Sequence, residues 1–537
     1  MTRILAHRLV ALCVVVGLIG LHLADSYVSR LPNHDGYYLV AVSDQIPADQ
    51  VRPGIRPRHT VLVVIDGLRA DHALKMDSVR RLREAGQCGL MQVGSVSVSR
   101  PVYAVLSTGL EQDRTGARNN DETRPLRVES IWQVARQAGL RVTGTSELEW
   151  WKQLFPDGFD SYRIVTRAED HFTTPESELG DLALFHPIYV DENGHDFGGR
   201  SPEYAAAAVR ADRELGRLLD RLDLKRDLVI FTADHGHTDR GGHGAGGIAV
   251  SQVMTCFGGH GIRPKPPLPS ERIWEEVSDN RLIAPALAVL LQLRFPTHLR
   301  AGEDSLDSIF SLLDPSVFPA DYLENRHLAV QRFRQANQAA VAQWMGVQKP
   351  ANWSDLYGKL RRWQLIRGLL LLGAFVVFVR VVPRRFRPAR PLFFVLWCLG
   401  TLALCVLLYN AGRGSLDFNS INTRYTFIKW GGAASVLAGL LSIGVHFQYR
   451  SSLAELAVDQ VRVCLLLLVL SLAHIVAFGW PIGFPVPDPF LFFVPFLLGT
   501  FLTLECILGA LLCLRLARKI DTHPAPLPDN AHASSVP

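Results

Sequence analysis

VLVVIDGLRAD, residues 61–71, decides the fold of this chain. It is a run of apolar, mostly β-branched residues that ends abruptly in the carboxylate of Asp66. A continuous apolar run of this kind reads as a parallel strand covered on both faces. An acid at the carboxyl end of such a strand lies where open α/β sheets place their ligands. Outward from it, strand-like runs at 60–65, 140–145, 184–190, 227–232 and 249–257 alternate with helix-like stretches. The helical stretches include 104–108 and the amphipathic YAAAAVRADRELGRLLDRL at 204–222. The alternation predicts an α/β domain with a mostly parallel sheet and helices on both faces.

Composition divides the 537 residues unevenly. The α/β pattern occupies 59–318, preceded by a Pro- and Arg-rich linker at 25–58 and followed by a polar helical connector at 319–363. From 364 to 516 apolar runs dominate, near 365–382, 391–409, 427–447, 461–480 and 490–514. Each is about 18–25 residues, enough to cross a bilayer as a helix. A further apolar run, Leu9 to Ala24, follows the basic start MTRILAHR. It reads as an uncleaved anchor over 1–24, because cleavage after Ala24 would put His22 where a small residue is wanted. Basic RVVPRRFRPAR (380–390), the N-terminus and RLARK (515–519), which leads into the 517–537 tail, all fall on one side if there are six spans. The positive-inside rule then puts residues from about 25 to 360 outside the cytoplasm.

The net charge of +5 is modest, and nothing in the pattern points to nucleic acid. Six of the eight cysteines lie in apolar runs. Cys88 and Cys256 read as strand residues with no geometric reason to meet, so their pairing is left open. Glu505 and His474 fall within apolar spans, where ionisable groups often mark a function and as often bond a neighbouring helix. Arg380 and Lys429 lie near span ends and can snorkel.

Three further segments carry chemistry. In SVSVSRPVYAVLSTGL (95–110), Ser99 opens an apolar helix. Its hydroxyl would lie near backbone N–H groups able to hold phosphate, although serine also favours ordinary helix caps. In FHPIYVDENGHDFGG (185–199), a strand ends in Asp191 and His195 follows four residues on, a spacing that lets both converge on one ion. In DLVIFTADHGHTDRGGHGAGG (227–247), another apolar strand ends in Asp234 and His235, with His243 in a glycine-rich stretch beyond. His260 competes with His243 for the third imidazole position, and His237 reads as an outer partner or an exposed residue. Arg69 and Arg100 are equally read as phosphate clamps or structural ion-pair partners. Two divalent cations would balance Asp66, Asp191, Asp234 and a deprotonated Ser99.

At these residues the chain resembles the alkaline phosphatase superfamily, and within it the membrane ethanolamine phosphate transferases of GPI-anchor synthesis. Type I phosphodiesterases and nucleotide pyrophosphatases are more distant relatives. VVIDGLRAD, SRPVYAVLSTG, VDENGHDFGGRSPEY, TADHGHTDRGGHGAGG and NRLIAPALAVLLQLRFP (280–296) carry the resemblance. It implies two zinc ions, one held by Asp191, His195 and His243, the other by Asp66, Asp234, His235 and the Ser99 oxygen. It implies Ser99 as a nucleophile that forms a phospho-enzyme. Two departures matter. Val102 stands where the phosphodiesterase branch has an Asn. The Pro and Arg spacing of the sulfatases is absent, which argues against sulfate esters.

The resulting expectation is a membrane phosphotransferase that takes a phosphoalcohol headgroup, phosphoethanolamine foremost, from a phospholipid to a glycolipid or glycan hydroxyl. A phosphodiesterase or phosphatase using the same first half-reaction is the alternative. A catalytically dead scaffold is the reading from another class. The expected location is a bacterial inner membrane with a periplasmic domain, with an endoplasmic-reticulum membrane and a lumenal domain as the alternative.

Overall fold

A computed structural model describes residues 40–344 apart from 95, 118–119, 121–122, 245, 265–276 and 300–302, together with 400, 403–412, 419, 429–434 and 436–438. The strands are β1 (Thr60–Ile65), β2 (Gly86–Gln92), β3 (Val142–Ser146), β4 (Ser161–Ile164), β5 (Leu182–His186), β6 (Leu228–Ala233), β7 (Gln252–Gly259) and β8 (Val277–Asp279). They form one mixed sheet in the order β4-β3-β5-β1-β6-β7-β2-β8. The pairs β3–β4, β3–β5, β1–β5, β1–β6 and β2–β8 are parallel, while β7 runs antiparallel to β6 and β2. The helices that position the site are α1 (Asp77–Glu84), α2 (Ser99–Thr108), α3 (Ile131–Gln137), α4 (Tyr189–Phe197), α5 (Pro202–Leu219), α6 (Ile283–Leu290) and α7 (Ala320–Trp344).

The apolar runs behave as their composition predicts. Every residue of β1, β5 and β6 is buried, the signature of strands covered on both faces. Thr60–Ile65 matches the expected 60–65, and 140–145 and 227–232 shift by one or two residues. Helix α5 starts on the Ser201 cap and Pro202 and packs Tyr204, Ala208, Ala211, Leu215 and Leu218 inward. The connector is helical where it is described, from Ala320 to Trp344.

Four expectations need correcting. The run 184–190 is not a strand that ends in Asp191. Strand β5 stops at His186, because Pro187 cannot donate to the ladder, and Asp191 lies on α4. The expected strand at 249–257 begins only at Gln252, after a helical turn at Ile248–Ser251. Cys88 and Cys256 do meet, since they stand opposite each other on antiparallel β2 and β7 and form a disulfide. The described part of the 25–58 linker does not reach away from the domain. Val42, Ile46 and Ile55 pack on the core, and Asp44 accepts from Phe295 N–H (2.8 Å), Arg326 (2.8 Å) and Arg332 (3.3 Å).

None of the described helices is long and apolar enough to cross a membrane. The expected anchor at 1–24 and the runs 365–382, 461–480 and 490–514 lie outside the described residues, as does more than half of 391–409 and of 427–447.

The Asp44–Arg326 pair is fully enclosed, so breaking it leaves an uncompensated buried guanidinium. Asp44→Ala should lower stability by about 3–5 kcal/mol. Arg52→Ala, which breaks an exposed pair with Asp321, should cost under about 1 kcal/mol. Chemical denaturation of the purified protein checks the contrast, and equal losses would refute it.

Candidate metal centre and nucleophile

Three adjacent parallel strands, β5, β1 and β6, deliver the first groups to one edge of the sheet. Ile65 registers with Ala233, so Asp66 and Asp234, the next residues, emerge side by side. His186 closes β5 on the other flank of β1. Asp66 and Asp234 are buried. Asp234 Oδ1 accepts from the N–H of Gly67 (3.0 Å) and of His235 (2.9 Å). Asp66 Oδ1 and Asp234 Oδ2 have no hydrogen-bond partner among the described residues. Both oxygens lie near His235 Nε2, at 3.4 and 3.3 Å.

Helix α4 supplies Asp191 and His195 from one face, four residues apart. Its approach to β1 depends on Gly67, whose φ is +70° and where a Cβ would fall 2.7 Å from Asp191 Cα. The chain leaves β6 at Asp234, so His235 need not alternate faces with it. His243 then folds back to within 3.0 Å of His195 (Nε2 to Nε2) and 3.5 Å of Asp191. The rings of His235 and His243 stack at 3.6 Å.

The donor atoms fall into two sets. Those of Asp66, Asp234 and His235 lie within 4.8 Å of one another, and so do those of Asp191, His195, His237 and His243. The sets abut, with His235 Nε2 4.0 Å from Asp191 Oδ1.

Backbone groups sort the imidazoles. His243 Nδ1 faces the Ser97 carbonyl (2.7 Å) and His235 Nδ1 that of Gly236 (3.2 Å). A carbonyl only accepts, so each ring carries its proton there and turns an Nε2 lone pair into the site. His237 is the reverse. Its Nδ1 accepts from Gly242 N–H (3.1 Å), so the proton sits on Nε2 and is donated to Asp191 (2.7 Å). His237 is therefore buried and orients Asp191; it is not exposed. His260 lies elsewhere, between the carbonyls of Lys225 and Ile55, and does not compete with His243.

Ser99 opens α2, and its Oγ lies 3.3 Å from His235 Nε2. Asn120 accepts from the Arg100 N–H in the same first turn. Tyr103, one turn on, donates to Asp66 Oδ2 (2.5 Å), and His186 Nε2 lies 3.2 Å from the same oxygen. Sequence reasoning passed over Tyr103 and His186. The four-residue spacing from Ser99 to Tyr103 was the available signal, because it sets both on one helix face.

The two arginines are committed to the protein. Arg69 bonds Asp71 (2.9 and 3.0 Å), Asp239 (2.8 Å) and the His237 carbonyl (3.1 Å), tying the turn after β1 to the loop after β6. Arg100 bonds Gln153 (2.7 Å) and lies 4.5 Å from the centre of the Trp150 ring.

The electrostatics call for positive charge. Burial, and next the charge of Asp66, push the Asp234 carboxyl well above the ordinary carboxylate range. Burial acts the same way on Asp191, but His195, His237 and His243 outweigh it and hold that acid well below the range. Burial lowers the His235 and His243 imidazoles, which favours the neutral form that binds metals. Two orphaned carboxylate oxygens beside imidazole lone pairs suit divalent cations.

Comparison with known proteins agrees with this chemistry. The type I phosphodiesterase / nucleotide pyrophosphatase family model matches residues 118–253. The catalytic subunit of mouse GPI ethanolamine phosphate transferase 3 is 25% identical over 272 residues, covering 44% of this chain and 24% of the relative. Its human counterpart is 25% identical over 309 residues, covering 50% and 28%. Human GPI ethanolamine phosphate transferase 1 is 21% identical over 329 residues, covering 50% and 33%. The chain thus spans about a quarter to a third of the length of these relatives. Among solved structures, murine ectonucleotide pyrophosphatase / phosphodiesterase 5 aligns at 15% identity and a TM-score of 0.38, over 48% of this chain and all of that one.

Gly67 offers a test of the geometry. Gly67→Ala should lose stability and cation binding together, because the new Cβ displaces Asp191. Gly139→Ala has a similar φ of +78° but open space, so it should lose only about 1–2 kcal/mol and keep its metal. Metal analysis with thermal unfolding distinguishes them, and full metal content in Gly67→Ala would refute the placement.

Proposed function

For a homologue of the GPI ethanolamine phosphate transferases and type I phosphodiesterases, we propose a membrane-bound, metal-dependent phosphotransferase. It moves a phosphoalcohol headgroup, phosphoethanolamine foremost, from a phospholipid to a hydroxyl of a glycolipid or glycan. Its chief support is the position of Ser99, which opens a helix 3.3 Å from His235, a member of the donor set that also holds Asp66 and Asp234.

Asp66, Asp234, His235 and Ser99 would hold one divalent cation, and Asp191, His195 and His243 the other; the metal is proposed to be zinc. The cations would supply charge to keep the carboxylates ionised and to lower the pKa of the Ser99 hydroxyl. Ser99 Oγ attacks phosphorus, a new O–P bond forms, and the bond to the diacylglycerol oxygen breaks, with a proton going to that oxygen. In the second half the acceptor hydroxyl attacks the same phosphorus, Ser99 leaves, and the headgroup passes on. His237 and Arg69 hold the surrounding loops. Water as acceptor gives the phosphodiesterase reading, which the family model over 118–253 favours.

The chain would place this domain outside the cytoplasm. The Cys88–Cys256 disulfide suits an oxidising compartment, either a bacterial periplasm or an endoplasmic-reticulum lumen. Asn419 donates to the Gly246 carbonyl (3.1 Å) and Arg240 to that of Ala411 (3.3 Å). Residues 411 and 419 follow the apolar run 391–409, in a connection that the charge pattern puts on the domain's side of the bilayer.

Wild-type protein incubated with phosphatidylethanolamine vesicles should acquire a phosphoethanolamine adduct on the Ser99 peptide, seen by mass spectrometry. Ser99→Ala should show none and lose about 10³-fold or more in turnover. Chelation should abolish turnover and zinc restore it. Product analysis with glycan hydroxyls and water present separates transfer from hydrolysis, and turnover that survives Ser99→Ala would sink the proposal.

A further inference from the structure

We propose that Tyr103 and His186 are positioning residues that dedicate Asp66 to its cation through a single oxygen. The inference rests on the two-cation reading above and adds two side chains to it. Tyr103 donates its hydroxyl to Asp66 Oδ2 at 2.5 Å, and His186 Nε2 approaches the same oxygen at 3.2 Å.

The direction of the second bond follows from its neighbours. His186 Nδ1 lies 2.9 Å from Ser146 Oγ, which already accepts from Leu148 N–H at 3.1 Å. The Ser146 hydroxyl proton is then available to His186 Nδ1, which leaves the ring proton on Nε2 facing the carboxylate. The opposite tautomer would set a nitrogen lone pair against a carboxylate oxygen. Two donors thus occupy Oδ2, while buried Oδ1 keeps no hydrogen-bond partner among the described residues.

Packing makes the arrangement rigid. Tyr103, His186 and Trp151 are fully buried. The Tyr103 ring stacks on Trp151 at 4.4 Å and meets His186 edge-on at 4.7 Å. Tyr103 is also one helical turn past Ser99, so one rigid helix sets both the nucleophile and the clamp on Asp66. A carboxylate held this way cannot rotate to bind through both oxygens.

The test is cation affinity, read by competition with a chromophoric chelator on the full-length purified protein and zinc alone. Tyr103→Phe keeps the ring and removes the donor. It should weaken one of the two zinc equivalents about 10- to 100-fold and leave the other unchanged. His186→Leu should do the same, and His186→Gln, which keeps an N–H donor, should recover most of the loss. Tyr103→Phe should leave the unfolding midpoint of the metal-free protein near that of wild type, whereas a purely structural phenol would move that midpoint and spare the chelator competition. Wild-type affinity for both equivalents in Tyr103→Phe would overturn the inference, even if His186→Leu fails to fold. Failure of the functional proposal looks different: there, wild type itself binds no zinc, or binds two and transfers nothing.

Discussion

Two buried acids at the carboxyl ends of neighbouring strands are the constraint on which the rest of the site depends. The pairing of Ile65 with Ala233 brings Asp66 and Asp234 together whether or not their charges repel. Burial and that repulsion raise the Asp234 acid, so the pair stays ionised only against positive charge. Water cannot supply the compensation, because both residues are enclosed. The same edge accordingly gathers imidazoles with inward lone pairs, Asp191 on a helix that passes within contact of Gly67, and a serine hydroxyl at a helix start. Each of these would be a liability alone. Together with cations they would form a balanced set.

Four histidines crowd into this space, and residue type does not separate their roles. The separation comes from the backbone. A carbonyl behind His235 and another behind His243 turn their lone pairs inward, whereas an N–H behind His237 turns its proton inward. His237 consequently stabilises Asp191 as a donor and gives up coordination. The loop after β6 assigns these roles through which backbone groups it presents.

Much of this was legible in the sequence, and what was not has identifiable causes. The runs at β1 and β6 are apolar on both faces and end in acid, so strand, burial and position of Asp66 and Asp234 follow directly. Asp191 was misplaced onto a strand because FHPIYV is dominated by large apolar and aromatic residues, and one proline decides that the ladder stops at His186. The Cys88–Cys256 pairing depends on β2 lying beside β7, a neighbourhood no local pattern encodes. Of strand β2 only Cys88 was read as a strand residue, since GQCGLMQ is glycine-rich and lacks clear alternation. Short β4 and β8 at the sheet margins carried too little signal. Tyr103 was hidden by its surroundings, since a tyrosine in an apolar helix reads as core until its hydroxyl is found on an acid.

The loop that carries His243 joins the site to what lies around it. On one side His243 and Gly244 are fixed to Ser97, two residues before Ser99, through the Ser97 carbonyl (2.7 Å) and hydroxyl (2.9 Å). On the other side Arg240 and Gly246 bond Ala411 and Asn419, which follow the apolar run 391–409. A shift of those residues relative to the sheet would therefore be felt at an imidazole and at the start of the Ser99 helix. If the chain acts as the phosphotransferase proposed above, that linkage would hold Ser99 at a fixed distance from residues 411 and 419.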